Sequence, residues 1–551
     1  MFVDLGLFTG QISFAGLGPG VAPAPLTHSR CTTRMAFRLV RVGVLHFSTL
    51  CVFLLTACGD GTTDSTPVVN ISKTKNPLVA EYDAVAPHPG TTTWVEFGED
   101  VTYGRRTSTL AASTSIRQSL KVLVAGMKAS TTYHLRGHFD WPGGSWVSPD
   151  QTFTTGAIPS NLVKPRLHVT RPDPNLQPSP GVELLSLSAQ SNADILQALV
   201  TDLQGNIIWY HDVGQKDYPE PLKPVGDGNF LIIDSSEFVG FVLEEIDLAG
   251  NVVHQISPAQ LNEKVAAAGY LFNVTQFHHD VAVLPNGHWI VLVNTLKDFT
   301  DLPGYPGTIT VTGDALIDLD QRWNVVWAWN SFDHLDVNRH IFGLPDWTHS
   351  NAIVYTANDG NLLLSMRNQS WILKIDYNNG QGSGDILWKL GNEGDFSLSG
   401  GDPSQWFYGQ HFPSPISING AQMTMAVFDD GNERVFEDGH ICGGKGAPQC
   451  YSRAPVYQID EGTLTASVLW QYLPNLYTFW GGSINQLTPT NNVEFDLSEP
   501  YSEQGDPYGS IVMEVTQTSN PQVVWQMRMD GANAYRAYRI PSLYPGVTWQ
   551  K

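Results

Sequence analysis

Short segments in which apolar and polar residues alternate fill most of the chain beyond residue 67. Examples are Thr93-Trp94-Val95-Glu96-Phe97 and Leu120-Lys121-Val122-Leu123-Val124, and turn-forming residues separate such segments. A period of two is typical of β-strands that are buried on one face. Residues 68–157 are therefore predicted to form a small antiparallel β-sandwich. From residue 160 onward no segment of useful length has a helical period, so the sequence predicts an all-β protein.

A second pattern recurs six times along the rest of the chain. Each copy is a strand, a turn and an apolar pair that mostly ends in Trp. The copies are residues 202–209, 247–254, 320–327, 384–388, 460–470 and 521–525. Long repeats that contain several strands each are typical of β-propellers. Residues 160–551 are therefore predicted to form a six-bladed β-propeller, with a pair of β-sandwiches as the alternative.

Three histidines add a pattern that is in register with the blades. His279, His349 and His411 each begin an apolar strand that runs into an Asn-Gly or Asp-Gly turn. Innermost strands of a propeller line its central channel, so equivalent positions would meet at one channel mouth. Arg367 follows His349 by one hairpin and brings a fixed charge to the same blade. The alternatives are histidines that serve packing alone, and an Arg367 that pairs with an acid such as Asp395.

This combination of side chains narrows the chemistry. Three histidines could hold a metal ion, but catalytic zinc sites usually add an acidic helper and lack a neighbouring Arg. Histidines with an Arg, and without paired carboxylates, fit the transfer of an anionic group better. A neutral imidazole would attack, while Arg neutralises the charge that develops on the transferred oxygens. No metal and no cofactor are expected.

Several motifs together resemble one family, the bacterial arylsulfotransferases (aryl-sulfate sulfotransferases). The matching segments are residues 277–280 (Phe-His-His-Asp), 346–351 (Asp-Trp-Thr-His-Ser-Asn), 365–367 (Ser-Met-Arg), 387–391 (Leu-Trp-Lys-Leu-Gly), 408–411 (Tyr-Gly-Gln-His) and 428–432 (Phe-Asp-Asp-Gly-Asn). The resemblance covers most of residues 160–545. It implies a six-bladed propeller behind an N-terminal β-sandwich. It also implies transfer of a sulfuryl group from a phenolic sulfate to a phenol by a ping-pong mechanism, without a nucleotide sulfate donor.

The resemblance also assigns roles to residues. It implies that His411 is the nucleophile and forms a transient sulfohistidine. His349, Arg367 and His279 would hold and neutralise the sulfuryl oxygens. Asn351 is a further substrate-binding candidate.

Four details stay open at this point. Ser483 lies near the position where the fifth blade would supply a polar partner. Asp430 stands where the family is expected to have Asn, and a turn there is predicted to leave activity little changed. His278 precedes His279, and because successive side chains of a strand point to opposite faces, only one of them is expected in the channel. His349 and His279 are both candidates for the general acid and base.

The sandwich has a resemblance of its own. Residues 127–133 resemble the tyrosine corner of fibronectin type III-like domains, with Tyr133 as the corner residue. Residues 151–156 resemble the last strand of such domains. The sandwich shows no evident chemistry, so it is predicted to be a packing or spacer module.

The N-terminal region has the pattern of an export signal. Residues 42–55 form an apolar run that is too short to span a bilayer, and Arg38 and Arg41 precede it. The segment Leu55-Thr56-Ala57-Cys58 follows and resembles a bacterial lipobox, which implies an acylated Cys58. We therefore expect a leader over 1–57 with its true start at Met35, a tether over 58–67, and a lipid-anchored protein of the bacterial cell envelope (periplasm or outer membrane). A plain signal peptide is the alternative.

Charge and the remaining cysteines limit the partners. The formal net charge of −22 argues against a nucleic-acid partner. Cys442 and Cys450 lie in a Gly-rich segment and are predicted to form a disulfide, with two free thiols as the alternative. Expected partners are phenolic sulfates, phenols and the membrane, and a homo-oligomer stays open.

Three other functions compete with sulfuryl transfer. The first is a metal-dependent propeller hydrolase or lyase, and the second is a non-catalytic, lipid-anchored binding module. A quinone-dependent dehydrogenase is the third. Fold alone does not decide among them, because propellers host many functions.

Overall fold

The computed structural model describes the chain beyond its N-terminal segment, with short gaps. The described residues are 67–112, 118–189, 196–213, 221–226, 228–236, 240–501 and 509–550. They all belong to one compact unit, Asp64–Lys551. Within them the chain forms 35 strands, two α-helices and three short 3-10 turns, which confirms the all-β prediction. The leader over 1–57, Met35 and Cys58 lie outside the described residues. No helix in the described part is long and apolar enough to cross a bilayer.

The first nine strands form two sheets that face each other. They are β1 (Val69–Lys73), β2 (Ala80–Val85), β3 (Thr92–Gly98), β4 (Arg105–Arg106), β5 (Leu110–Ala111), β6 (Ser119–Val124), β7 (Thr132–Trp141), β8 (Gly144–Val147) and β9 (Gln151–Thr154). One sheet has the order β1-β2-β6, and the other is built around β3 and β7. Burial alternates along β2, β3 and β7, as the period of two predicts. The hydroxyl of Tyr133 accepts a hydrogen bond from the Lys128 N–H at 3.0 Å, which is the expected corner bond.

The other strands form six antiparallel-based sheets of four or five strands. They are β10 (Arg166–Thr170), β11 (Val182–Ala189), β12 (Ala198–Thr201), β13 (Ile207–His211), β14 (Lys223–Pro224), β15 (Phe230–Ser236), β16 (Gly240–Ile246), β17 (Val252–Ile256), β18 (Val274–Val283), β19 (Trp289–Leu302), β20 (Tyr305–Leu319), β21 (Val325–Asn330), β22 (Ser350–Thr356), β23 (Asn361–Met366), β24 (Trp371–Ile375), β25 (Ile386–Leu390), β26 (Ser397–Leu398), β27 (His411–Asn419), β28 (Gln422–Phe428), β29 (Ala454–Asp460), β30 (Thr465–Tyr472), β31 (Ile484–Leu487), β32 (Asn492–Leu497), β33 (Ile511–Val515), β34 (Val523–Asp530) and β35 (Ala532–Ile540).

We number these sheets 1 to 6 along the chain. Their strand orders are β13-β12-β11-β35 in sheet 1, β14-β15-β16-β17 in sheet 2, β18-β19-β20-β21 in sheet 3, β22-β23-β24-β25 in sheet 4, β26-β30-β29-β28-β27 in sheet 5 and β10-β34-β33-β32-β31 in sheet 6. The chain ends cross between sheets: the early strand β10 pairs with β34 in sheet 6, and the last strand β35 pairs with β11 in sheet 1.

Apolar cores lie between neighbouring sheets. Separate clusters join sheets 1 and 2, 2 and 3, 3 and 4, 4 and 5, 5 and 6, and 6 and 1. Strands at one edge of their sheets contact each other across the sheets: β18 packs against β22, β22 against β27, β27 against β31, and β31 against β35. Each sheet therefore buries both faces against its neighbours, which explains why its strands are rich in Val, Ile and Leu.

The repeated sequence pattern marks a hairpin turn within a sheet: residues 202–206 join β12 to β13, residues 247–251 join β16 to β17, and residues 320–324 join β20 to β21. Asp202 Oδ1 accepts from the backbone N–H of Asn206, whose side chain donates to the same carboxylate. The same bonds recur between Asp247 and Asn251 and between Asp320 and Asn324. Such Asx geometry explains why Asp and Asn occur four residues apart.

The Trp at the end of a repeat bonds to the turn of the following sheet. Indole N–H groups donate to backbone oxygens in four such pairs: Trp209 to Leu248, Trp327 to Gly382, Trp470 to Thr518 and Trp525 to Leu203. The last of these runs from sheet 6 back to sheet 1.

One expectation about this region is wrong, because a ten-residue helix, α1 (Pro258–Ala267), precedes β18. Ser257 caps it and forms a capping box with Gln260, and Pro258 occupies the first turn. Capping residues were therefore a better signal here than the weak hydrophobic period. The second helix, α2 (Ser331–His334), is a single turn, and the 3-10 turns are Arg367–Gln369, Asn378–Gly380 and Pro403–Gln405.

Candidate active site

His349 directly precedes β22 and His411 is the first residue of β27, whereas His279 lies inside β18 and does not begin it, and each strand is irregular there. Pairing registers shift between Phe277 and Val281, between Ser350 and Ala352, and between His411 and Ser414. His279, His349 and Phe412 have positive φ angles of 56°, 45° and 45°. Left-handed backbone at such residues costs about 1–3 kcal/mol and is concentrated at functional sites. The irregularities turn the histidine side chains out of the regular pleat.

Aromatic contacts show that the histidines meet. The ring centroids of His279 and His349 are 4.7 Å apart, and the rings are nearly perpendicular. Tyr535, on the last strand β35, lies between the two sides of the site: its ring centroid is 5.6 Å from that of His279 and 6.3 Å from that of His411. The structure therefore brings together residues from sheets 1, 3, 4 and 5.

His411 is the most enclosed of the three, with 2% of its side chain exposed. Its Nδ1 lies 2.6 Å from Oδ2 of the fully buried Asp430. On the other side of the ring, the backbone N–H of Gly481 donates to Nε2 at 3.3 Å. Burial, together with the positive charge of Arg367, lowers the pKa of His411 well below 6.5. The imidazole is therefore neutral near pH 7.

Asp430 differs from the sequence expectation. It does lie in a turn, directly after β28, but its side chain points into the site and bonds to His411. Burial raises its pKa well above 3.8, and Arg367 opposes that rise. A change at this position therefore acts on the imidazole of His411.

His349 has a more open environment. Its Nδ1 lies 2.5 Å from Oδ2 of Asp346, with 30% of the His349 side chain and 49% of the Asp346 side chain exposed. The backbone of Thr312 holds this segment, because it accepts from the Trp347 N–H and donates to the Pro345 carbonyl. The long strand β20 thereby fixes the loop that presents His349.

His279 is backed by its neighbour in sequence. The Nδ1 atoms of His278 and His279 are 2.8 Å apart, and Nε2 of His278 lies 3.3 Å from Oδ1 of the buried Asp314. Burial and the nearby His349 lower the pKa of His279 well below 6.5. The expected strict alternation is not kept, because the register break and positive φ let His279 reach His349 while His278 lies behind it.

Arg367 begins a 3-10 turn, one residue beyond β23, where the sequence had suggested the strand itself. Its backbone N–H donates to the carbonyl of His349 at 3.3 Å. Its guanidinium donates to Asn368 and to the carbonyl of Phe479, and its Nε is buried without a partner. Asp395 instead pairs with Lys389. No carboxylate of the described residues forms an ion pair with Arg367, which leaves its charge available to an anion.

A buried network lies beneath the histidines. Arg536 on β35 pairs with Asp280 at 3.1 Å and donates to the carbonyl of Asn351 at 2.6 Å. The side-chain amide of Asn351 donates to the Gln410 carbonyl, directly before His411, and its Oδ1 is buried without a partner. Asn351 therefore anchors the backbone that carries His411.

Ser483 does not enter the site. It is fully buried, and its hydroxyl donates at 2.5 Å to Asp496 or to the Ala537 carbonyl. The backbone of Gly481 lies next to His411 in its place. Gly481 has a φ of +71°, and a Cβ there would lie 2.7 Å from Cβ of Ser498, so glycine is required.

The predicted disulfide is confirmed between Cys442 and Cys450. Cys442 Sγ lies 3.3 Å from the carbonyl of Gly431, next to Asp430. The bridged loop therefore packs directly behind the turn that supports His411.

The sequence interpretation missed the acids of this site. Each histidine or its neighbour has a carboxylate partner, so the premise of histidines without paired carboxylates is wrong. Asp346 precedes His349 by three residues, and Asp430 lies inside a quoted motif, so both signals were present in the sequence. Among the described residues, no group of three His, Cys, Asp or Glu side chains is arranged to hold a metal ion.

The family model described as Arylsulfotransferase (ASST) matches residues 170–539, more than half of the 551 residues. The chain belongs to the arylsulfotransferase family. The match spans all the histidines of the site, Arg367 and the buried acids. Membership supports aryl sulfotransferase activity in general.

Other comparisons add little to the family match. No curated protein matches the chain. A DUF4784 family protein from Bacteroides caccae has 8% identity and a TM-score of 0.29, covering 81% of this chain and 91% of that one. The PQQ domain of a pyranose dehydrogenase from Coprinopsis cinerea has 10% identity and a TM-score of 0.31, covering 68% and 89%. At these TM-scores neither likeness bears on the fold or function of this arylsulfotransferase family member.

Proposed function

We propose that the protein transfers a sulfuryl group from a phenolic sulfate ester to a phenol by a ping-pong mechanism, with His411 as the transient carrier and without a nucleotide donor. The observation that carries the proposal is the meeting of His279, His349 and His411 beside Arg367, whose charge has no carboxylate partner in the described residues. A cation beside a neutral, buried imidazole suits an anionic group that must be attacked by nitrogen.

We also propose that sheets 1 to 6 are the blades of a six-bladed propeller over residues 160–551, behind a fibronectin type III-like sandwich over 68–157. Three observations support this arrangement: the cores between successive sheets, the Trp-to-turn bond from sheet 6 to sheet 1, and the exchange of strands at the chain ends. The histidine-bearing strands β18, β22 and β27 would then line the central channel.

In the first half-reaction, the Nε2 lone pair of His411 attacks the sulfur of the donor. The N–S bond forms as the S–O bond to the aryl ring breaks, and the aryl oxygen leaves with the electron pair of that bond. A phenolate leaving group has a pKa near 10, as in Tyr, so a proton from an acid speeds its departure. Arg367 neutralises charge on the sulfuryl oxygens.

In the second half-reaction, a phenol replaces the departed product. A base removes its proton, the phenolic oxygen attacks sulfur, and the N–S bond returns its electron pair to Nε2. The enzyme is then in its starting state.

We assign the acid and base role to His349. Its partial exposure allows proton exchange with water, and the exposed Asp346 can support its charged form. His279 is less suited, because burial and neighbouring histidines lower its pKa and keep it neutral. We propose that it donates to a sulfuryl oxygen.

The test is a coupled assay with 4-nitrophenyl sulfate as donor and phenol as acceptor, on wild type and on His411→Ala. Nitrophenol release that depends on phenol and is lost in the variant would support the proposal. Release that needs no phenol would indicate a sulfatase and contradict it, as would no release by folded wild type. His168→Ala is the matched control, because His168 is 55% exposed on β10 and pairs with Asp530.

We further propose that the protein is exported and lipid-anchored at Cys58 in the bacterial cell envelope. The support is the sequence pattern before Cys58. Labelling with a radioactive fatty acid should mark the wild type and leave Cys58→Ala unlabelled. Equal labelling of both would contradict the anchor.

A further inference from the structure

Asp430 is fully buried, and only one of its two side-chain oxygens forms a hydrogen bond. It is 0% exposed, Oδ2 lies 2.6 Å from Nδ1 of His411, and Oδ1 is buried without a hydrogen-bond partner. A buried carboxyl group is costly unless it is paired. Its single contact therefore points to a role at His411.

The neighbouring Asp429 shows what a structural acid looks like in the same turn. Oδ2 of Asp429 accepts from Arg434 at 2.9 Å and from Arg453 at 2.7 Å, and both arginines are buried. Asp429 thereby fixes the turn without touching the histidines. Asp430 has no such arginine contact among the described residues and is left to the imidazole.

The two contacts of His411 determine where its proton lies. The backbone N–H of Gly481 can only donate, so Nε2, 3.3 Å away, must offer its lone pair. A neutral imidazole then carries its proton on Nδ1, which faces Asp430. Nδ1–H in turn requires an acceptor, and Oδ2 of Asp430 provides one.

We propose that Asp430 is a positioning residue that holds His411 in the Nδ1–H tautomer and balances the charge of the sulfated ring. The first role keeps Nε2 free of a proton, so that its lone pair can attack once it leaves the 3.3 Å contact with the Gly481 N–H. The second role rests on the proposed function, because it concerns the sulfohistidine.

The charge balance follows the bonds. When the Nε2 lone pair forms the N–S bond, the ring becomes an N-sulfo-imidazolium and its positive charge is shared with Nδ1–H. The aryl oxygen leaves with the electron pair of the broken S–O bond. The fully buried Asp430 carboxylate, whose ionised form Arg367 favours, opposes the ring charge at 2.6 Å.

Leucine is the informative replacement, since it nearly keeps the volume and removes both the acceptor oxygen and the charge. Nδ1–H then has no partner to hold the ring, and the tautomer is no longer fixed. Asparagine, the residue expected here in the family, keeps an acceptor oxygen for Nδ1–H. We expect Asp430→Leu to lower the rate of the nitrophenol burst by about 10²–10⁴-fold, with a much smaller change in KM, and Asp430→Asn to keep much more of the rate.

The matched control is Asp438→Leu. Asp438 also bonds a histidine, His440, at 2.9 Å, but both side chains lie exposed just before the loop that the Cys442–Cys450 bridge closes. We expect this variant to keep the wild-type burst rate. A burst in Asp430→Leu that equals the control, with a folded protein, would overturn the proposal.

A second readout does not depend on activity. In free wild type labelled with ¹⁵N-histidine, His411 should show a protonated Nδ1 and an unprotonated Nε2 near pH 7, and His411→Ala identifies its signals. Asp430→Leu should lose this pattern. A wild-type Nε2–H tautomer would overturn the proposal even if Asp430→Leu failed to fold.

The two proposals fail separately. A peptide digest of wild type quenched after mixing with donor should contain sulfated His411. If it does not, the sulfohistidine and the charge-balancing role fall, while the tautomer readout still decides the positioning role. If sulfated His411 forms equally fast in Asp430→Leu, only the proposal for Asp430 is contradicted.

Discussion

The site contains two histidine–aspartate pairs that share the same functional groups but differ greatly in their exposure to solvent. His411 and Asp430 are 2% and 0% exposed, whereas His349 and Asp346 are 30% and 49% exposed. Their N–O distances are nearly equal, at 2.6 and 2.5 Å. Environment, and not bond length, separates the pairs.

Burial disfavours the charged forms of His411 and Asp430, whereas His349 and Asp346 are partly exposed to water. Burial lowers the pKa of His411 and raises that of Asp430, while water can solvate a charged His349. Acid and base roles divide along such differences in environment. His411 is therefore suited to nucleophilic attack, and His349 to proton transfer with the phenolic oxygen.

The largest expected effect separates the two histidines by leaving group. His411→Ala should abolish transfer for every donor, since no other nucleophile replaces it. His349→Ala should lower transfer from phenyl sulfate by about 10²–10⁴-fold, but affect 4-nitrophenyl sulfate much less, because nitrophenolate needs little protonation. Rates for a series of aryl sulfates measure this. Equal losses across the series in His349→Ala would contradict its role as the acid.

The next largest effect on the rate concerns the fixed positive charge of Arg367. Arg367→Gln should lower kcat by about 10²–10³-fold, the usual cost of losing one donor to developing negative charge. Arg367→Lys should recover only part of the rate, because a point charge does not replace a planar fork. Steady-state kinetics with both variants test this, and a wild-type rate in Arg367→Gln would remove Arg367 from the mechanism.

The pH dependence probes the buried pair directly. His411 attacks only when neutral, and its pKa lies well below 6.5, so kcat/KM should stay level as pH falls through 6.5. It should fall about tenfold per pH unit only below the lowered pKa. Initial rates across acidic pH, with a donor that needs no protonation, measure the midpoint. A midpoint at or above 6.5 would contradict a neutral, buried nucleophile.

The smallest effect belongs to the exposed acid. Asp346→Asn should lower the rate by about fivefold or less, since exposed ion pairs contribute about 0–1 kcal/mol. Asp430→Leu should lower it far more, since it leaves Nδ1–H of the buried His411 without an acceptor. Side-by-side single-turnover rates give the ratio, and similar losses in both variants would erase the distinction between the pairs.

Local patterns in the sequence predicted the strands, the repeated turns and the positions of the histidines. Each depends on residues close in sequence: Asp202 bonds to Asn206, and His349 directly precedes β22. The pairing of Cys442 with Cys450 was accessible for the same reason.

Features that depend on tertiary structure were not accessible. The contact of Asp430 with His411 crosses 19 residues, and the turn around Asp430 gives no sign that it is buried. The reach of His279 depends on a register break that a regular period of two cannot show. Ser483 had a suitable position, but its hydroxyl is used by the distant Asp496 and Ala537.

The exchange of terminal strands has a consequence for how the chain is made. Sheet 1 needs the last strand, Ala532–Ile540, and sheet 6 needs the early strand Arg166–Thr170. A growing chain therefore carries two incomplete sheets until translation has passed residue 540. Tyr535 and Arg536 lie on that last strand, so the buried residues that support the histidines are also complete only when this strand has been made. A premature stop only some twenty residues early would remove a strand from the beginning of the fold and leave the histidines without support.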